Sequence, residues 1–331
     1  MSVKGTRYFV TGGAGFIGSH MVERLLRDGH EVTVYDSLSL SSGEWLEPVR
    51  AERGFHFVHE DLLDLEVLTE AMRDHDVIIH LGANTDIALG TTKPRLDLDN
   101  CTIATFNVLE AMRDTGLREL LFASSSTIYG EIPIRPTPED AGPVLPISLY
   151  GAAKLACEGL ISAYCHLYGL RARIFRFGNV VGARMGHGVI YDFIRKLQRN
   201  PAELEILGDG HQQKNFFLVE DCIDAILFVR DHINEEQCDV YNLGTDSIVT
   251  VTEIAQIVVE EMGLSNVSFR YAGGERGWPG DVPNVVYDVG KMRALGWEAR
   301  QSSADAVRIA TQRLLEQLQV MERAPGVPHS A

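Results

Sequence analysis

Tyr150 and Lys154 stand four residues apart at the start of a helix-like stretch, a spacing that puts both side chains on one face. An ammonium beside a phenol favours the phenolate, so a tyrosine of ordinary pKa about 10 becomes a usable base near neutral pH. Upstream, Ser124-Ser125-Ser126-Thr127 follows the strand-like run LLFAS. A hydroxyl there can hydrogen-bond a substrate oxygen whose proton the tyrosine removes. Tyr-x-x-x-Lys arises by chance in many helices, and it gains meaning from what precedes it.

What precedes it is rich in glycine. Thr11-Gly12-Gly13-Ala14-Gly15-Phe16-Ile17-Gly18 lies between a short apolar run and a helical pattern, and Gly13, Gly15 and Gly18 satisfy Gly-x-Gly-x-x-Gly. Such glycines permit a tight turn, close approach of backbone to a pyrophosphate, and packing of helix on strand, with the helix N-terminus facing the negative charge. Asp36 ends the second strand-like run, 18 residues past Gly18, where a carboxylate accepts hydrogen bonds from an adenosine ribose. Ser37-Leu38-Ser39 follow and supply no cation for a 2′-phosphate, which predicts NAD in preference to NADP.

The elements that must hold these groups alternate along the chain. Residues 8–11, 31–35, 55–59, 77–81, 120–124 and 171–176 read as strands. Between them Ile17, Met21, Val22, Leu25 and Leu26 recur at helical spacing up to Asp28-Gly29, and 66–73, 102–115 and 150–168 are also helical. This alternation predicts an α/β fold, a Rossmann-type doubly wound parallel sheet with helices on both faces. Residues 131–146 carry five prolines and read as an ordered loop. Past about residue 180 the pattern shortens into a smaller C-terminal α/β lobe, and 321–331 read as a flexible tail.

Length and composition narrow the function classes. The 331 residues suit about two domains of ~150 each. Thirty basic against 46 acidic residues leave a net charge of −16, which argues against nucleic acid as a partner. An anionic small ligand stays compatible, because a few cations or a helix N-terminus can hold it locally. No apolar run reaches ~18 residues and no signal peptide opens the chain, so no membrane association is expected. Five cysteines without a CxxC pair fit buried thiols in a reducing cytoplasm. His56 and His59 fall on opposite faces of a strand, and no metal site is expected there.

In sequence the chain resembles the extended short-chain dehydrogenase/reductase superfamily, and within it the NAD-dependent nucleotide-sugar epimerases and dehydratases, most of all the UDP-glucose (UDP-galactose) 4-epimerases. The likeness is carried by TGGAGFIG at 11–18, Asp36, Asp61-Leu62, HLGA at 80–83, Asn100, SSSTIYG at 124–130, Tyr150 to Lys154, RFGNVVG at 176–182, ILGDG at 206–210, FFLVEDCIDA at 216–225 and RGWPGDV at 276–282. It runs from residue 6 to about 320. It implies Ser125, Tyr150 and Lys154 as the catalytic group, with Ser124 and Ser126 flanking the assigned serine. It implies that Gly12, Gly15, Phe16, Ile17, Gly18, Asp36 and Ser37 hold the pyrophosphate and adenosine ribose of NAD. Asp61 and Leu62 would flank the adenine, Leu81, Gly82, Ala83, Asn100 and Phe177 would line the way to the nicotinamide, and Tyr150 and Lys154 would also touch the cofactor.

The resemblance further implies a nucleoside-diphosphate sugar as substrate. Asn179, Lys214 and Arg276 would contact the diphosphate, Asp281 the nucleoside ribose, and Thr85, Ser125, Ser126 and Val189 the sugar. The implied organisation is an NAD-binding domain over 1–180 that includes the Tyr–Lys helix, then a nucleotide-sugar lobe over 181–320. A homodimer is implied through 102–115 and 150–168, where Ile103, Phe106, Val108 and Leu109 offer apolar surface. Dehydratases of this kind carry an Asp-Glu pair after the catalytic serine and decarboxylases a glutamate; here Ser126 and Thr127 stand there, and neither titrates near neutral pH. That difference favours C4 epimerisation. Decarboxylation, dehydration, net reduction, or an NAD-binding regulator without catalysis remain as alternatives.

Overall fold

A computed structural model describes residues 5–232, 236–278, 280–284 and 286–323 of the protein. The described residues form two compact units, one drawn from 1–177, 223–243 and 288–297, the other from 178–222, 244–287 and 298–331.

The first unit begins with β1 (Arg7–Thr11), α1 (Phe16–Arg27), β2 (Glu31–Tyr35), β3 (Phe55–Val58), α2 (Leu65–Met72) and β4 (Val77–His80). It continues with α3 (Ile87–Thr92), α4 (Pro94–Asp97), α5 (Ala104–Thr115), β5 (Glu119–Ser125), α6 (Leu149–Tyr168) and β6 (Arg171–Phe177). The second unit then adds β7 (Asn179–Val181), α7 (Val189–Arg199), β8 (Glu203–Ile206), β9 (Gln213–Lys214) and β10 (Phe216–Leu218). After α8 (Val219–Asp231) comes β11 (Cys238–Leu243), which returns to the first unit. The remainder is β12 (Val249–Thr250), α9 (Val251–Glu261), β13 (Ser268–Tyr271), α10 (Gly290–Ala294) and α11 (Ser303–Arg323).

The central sheet has seven parallel strands in the order β11-β6-β5-β4-β1-β2-β3. After β3 the chain crosses back to place β4 on the other side of β1, so the winding reverses between β1 and β4. Beyond the carboxyl ends of strands at such a reversal a crevice opens for a ligand. Phe9, Ile78, Leu120, Phe122 and Ile174 from the strands pack with Leu68 and Met72 of α2, Val108 and Met112 of α5, and Cys157 and Ile161 of α6 into one core.

Local signals set the ends of the helices that matter here. Helix α1 buries Met21, Val22 and Leu25 and stops at Asp28, where Gly29 takes φ +86°. Helix α6 starts at Ser148, whose hydroxyl accepts the Gly151 N–H at 3.1 Å, so Tyr150 lies in the first turn. It stops at Gly169 in the left-handed region. The proline-rich loop is tied down: Asn242 donates to the Thr137 carbonyl at 3.0 Å and Arg176 to the Glu139 carbonyl at 2.7 Å.

Three expectations need correction. The helix anticipated over 102–115 is α5 preceded by a π-helical stretch, Leu98–Ile103, whose wide turns the apolar spacing does not signal. Helix α11 continues through Arg323, so the helical backbone overruns the tail anticipated from 321, and 324–331 lie outside the described residues. Val108 and Leu109 are wholly buried in the core of the first unit and are not surface, whereas Ile103 and Phe106 are 40% and 39% exposed.

Candidate active site

The glycine turn joins β1 to α1 at the winding reversal. Gly12 takes φ +67°, and a Cβ on it would lie 2.7 Å from the Gly82 nitrogen in the turn after β4. A Cβ on Gly18 would collide with the Gly12 carbonyl oxygen. Both positions therefore admit only glycine, which is the condition for two backbones to pass this closely. Gly15 caps α1 with no side-chain hydrogen bond, so the first-turn amides of Phe16, Ile17 and Gly18 are presented without a side-chain partner from the cap. That cradle fits a pyrophosphate.

Asp36 leaves the end of β2 half-buried, and its two carboxylate oxygens accept the backbone amides of Ala14 and Leu38, each at 2.9 Å. Each oxygen keeps a second lone pair for a ribose hydroxyl. Ser37 is half-buried beside it, its hydroxyl bonded to Ser39 at 3.0 Å. Asp61 is exposed, Leu62 and Ala83 are half-buried against the core, and the Leu62 methyl lies against Gly82. Leu81 and Gly82 follow β4, with the Gly82 amide held by the Thr11 hydroxyl at 3.1 Å. These residues meet the demands of a dinucleotide.

His80 is a residue that pattern reading passed over. It is buried between Thr11 (2.6 Å) and Thr105 (3.0 Å), and burial, with Lys154 second, pushes its pKa down to about 3. A neutral imidazole thus ties β1, β4 and α5 together through the same Thr11 hydroxyl that holds the Gly82 amide.

Ser125 and Phe177 are partners in the register of β5 and β6, at the carboxyl ends of those strands. Lys154 is 2% exposed, donates from Nζ to the Ala123 carbonyl at 2.7 Å, and stands 5.8 Å from the centre of the Tyr150 ring. Burial pulls the Lys154 pKa down, but Cys101, Tyr150, Cys157 and Glu158 outweigh it and the net movement is upward, so the ammonium is retained. For Tyr150, burial is the largest influence and raises the phenol pKa, while Lys154 and a hydrogen bond from Ser125 pull it down. The side chains alone leave the phenol above its ordinary value, contrary to the fall expected from Lys154.

The three serines separate cleanly. The Ser124 hydroxyl donates to Glu158, which also binds Arg176 at 2.7 Å in a buried ion pair. Ser125 is the serine that interacts with Tyr150, and Ser126 is half-buried beyond the strand end. Asn100 is half-buried in the π-helical stretch; the neighbouring side chain that reaches the surroundings of Tyr150 and Lys154 is that of Cys101, with its Sγ 3.7 Å from Cys157 Sγ. Thr85 is exposed after β4.

In the second unit Lys214, Arg276 and Asp281 come together. Lys214 forms an ion pair with the Asp281 carboxylate and donates to the Val282 carbonyl at 2.7 Å. Arg276 donates to the Asp281 carbonyl at 2.8 Å, and the Gly277 amide to its carboxylate at 3.1 Å. Asn179 is exposed on β7 and donates to the Asn215 carbonyl at 2.9 Å, while Val189 opens α7 half-buried. Two cations thus stand beside one acid, and the acid is paired with the lysine.

A glycine cradle at a winding reversal, with a serine at the end of β5 and a tyrosine and lysine in the first turns of α6, defines a dinucleotide-binding fold with groups capable of acid–base chemistry. The chain belongs to the NAD dependent epimerase/dehydratase family, whose profile matches residues 8–244, and its cofactor is NAD. It is similar to the UDP-glucose 4-epimerase of Mycolicibacterium smegmatis, 34% identical over 91% of this chain and 96% of that protein. A crystal structure of a UDP-galactose 4-epimerase is 40% identical, with a TM-score of 0.85 over 95% of this chain and 100% of that one. The Thermus thermophilus UDP-glucose 4-epimerase in complex with NAD is 32% identical, with a TM-score of 0.81 over 93% and 98%. Among the described residues no helix is long and apolar enough to cross a membrane.

Proposed function

We propose that the protein epimerises a nucleoside-diphosphate hexose at C4, of the UDP-glucose/UDP-galactose type. Tyr150 takes the proton of the C4 hydroxyl, and Lys154 stabilises the phenolate that performs this step. Ser125 donates to the same oxygen as it becomes a carbonyl. When bound, NAD supplies a reversible two-electron acceptor whose positive charge adds to that of Lys154. The 4-keto sugar turns over in the site, and Tyr150 returns the proton once the other face of C4 is presented. Asn179, Lys214 and Arg276 would bind the diphosphate and Asp281 the ribose, with the anion displacing the Lys214–Asp281 pair. Ile103 and Phe106, exposed beside α6, support a homodimer through α5 and α6.

The observation that carries this reading is at 126–127. The turn after Ser125 holds Ser126 and Thr127, and the Thr127 hydroxyl is bonded to Ser125 at 2.9 Å. Elimination of water across C5–C6 needs a titrating acid or base that this turn does not provide. A panel of UDP-, GDP-, CDP- and dTDP-sugars, incubated with the purified protein without added reductant and resolved by NMR, tests the proposal. A C4 epimer from a UDP-hexose is expected; a 4-keto-6-deoxy or decarboxylated product would overturn it.

A further inference from the structure

We propose that Thr127 is a positioning residue that fixes which way the Ser125 hydroxyl proton points. The inference rests on the reading of Ser125 and Tyr150 given above. Ser125 ends β5, and its Oγ caps the short turn Ser126–Tyr129. Two donors converge on that oxygen, both from Thr127: the backbone N–H at 3.2 Å and the side-chain hydroxyl at 2.9 Å. A serine hydroxyl has two lone pairs and one proton. With both lone pairs engaged, the proton is the remaining hydrogen-bonding capacity, and it must be donated outward.

The direction matters because, in the reading above, this serine donates to the C4 oxygen that Tyr150 deprotonates. An oxygen that gains negative charge is stabilised by a donor already aimed at it, and loses that help if the donor must first rotate. Without the Thr127 hydroxyl, one lone pair of Ser125 opens to water and the O–H is free to turn away. The rest of the strand end cannot compensate by shifting, since Ser124 is anchored on the buried Glu158–Arg176 pair. The half-buried Thr127 side chain therefore acts through Ser125 and need not touch the substrate.

The test is a double-mutant cycle with Thr127→Val, Ser125→Ala and the double variant, read as kcat and KM separately on the NAD-loaded protein. Thr127→Val keeps the β-branched shape and removes only the donor. It should lower kcat about 3–10-fold, the scale of one net hydrogen bond, with KM within twofold of wild type. Thr127→Ser, which restores the hydroxyl, should recover most of the rate. The double variant should be no slower than Ser125→Ala alone. Multiplying losses, a rate for Thr127→Val within twofold of wild type, or equal losses in Thr127→Ser and Thr127→Val would each overturn the inference. With Ser125→Ala slow, such results leave the C4-epimerase reading intact. If Ser125→Ala itself matches wild type, the role given to Ser125 fails first and the inference falls with it.

Discussion

At the scale of single residues, the site is a competition between burial and charge around one phenol. Burial lifts the Tyr150 pKa, and Lys154 followed by Ser125 lowers it, with Cys101 and Asp97 acting upward. The base works when deprotonated, so kcat/KM rises with pH through its pKa. Removing Lys154 removes the largest downward pull, and the rising limb should move to higher pH. The pH profile of Lys154→Met should show this upward displacement beside weaker retention of NAD, and an unmoved limb would mean that Lys154 does not act on the phenol. Tyr150→Phe should lose about 10²–10⁴-fold in turnover while still binding NAD, since only the proton carrier is gone. A second residue-scale consequence concerns Glu158. Glu158→Ala would leave Arg176 charged and unpaired in a buried site, so urea denaturation should show a loss of about 3–5 kcal/mol.

At the scale of elements, the first strand–turn–helix segment and its acid were legible because each rests on a local rule. Gly12 and Gly18 are required by backbone contacts, Asp36 closes β2, and the alternating apolar runs place every strand of β1–β6 within a residue or so of where it forms. Gly18→Ala should drive a methyl into the Gly12 carbonyl, costing about 1–3 kcal/mol and most of the NAD retained through purification. Full retention of NAD by a folded Gly18→Ala protein would contradict that. What stayed hidden depends on contacts distant in sequence. The Thr11–His80–Thr105 bridge joins residues 69 and 25 apart, and what sets Ser124 apart from its neighbours is its hydrogen bond to Glu158, 34 residues away. The π-helical stretch was equally invisible, because its apolar residues keep a spacing that an α-helix also satisfies. No local pattern shows that Lys214 pairs with Asp281, 67 residues away.

At the scale of the whole molecule, the chain passes between its two units several times, and β11 completes the sheet of the first after α8. The first unit gathers 223–243 and 288–297 with its N-terminal part, segments distant in sequence. The exposed Ile103 and Phe106, with Leu167 and Tyr168 of α6, predict twice the chain mass by light scattering at micromolar concentration. Phe106→Glu should shift that mass toward the single chain, and a wild-type monomer would refute the interface. The central claim is that C4 gives up and regains its own hydrogen without exchange with solvent. It is tested most directly with UDP-galactose deuterated at C4, followed by NMR in ordinary water with no added nicotinamide. The account predicts UDP-glucose that still carries deuterium at C4; loss of the label to solvent, or its appearance at C6 of a deoxy-sugar, would contradict it.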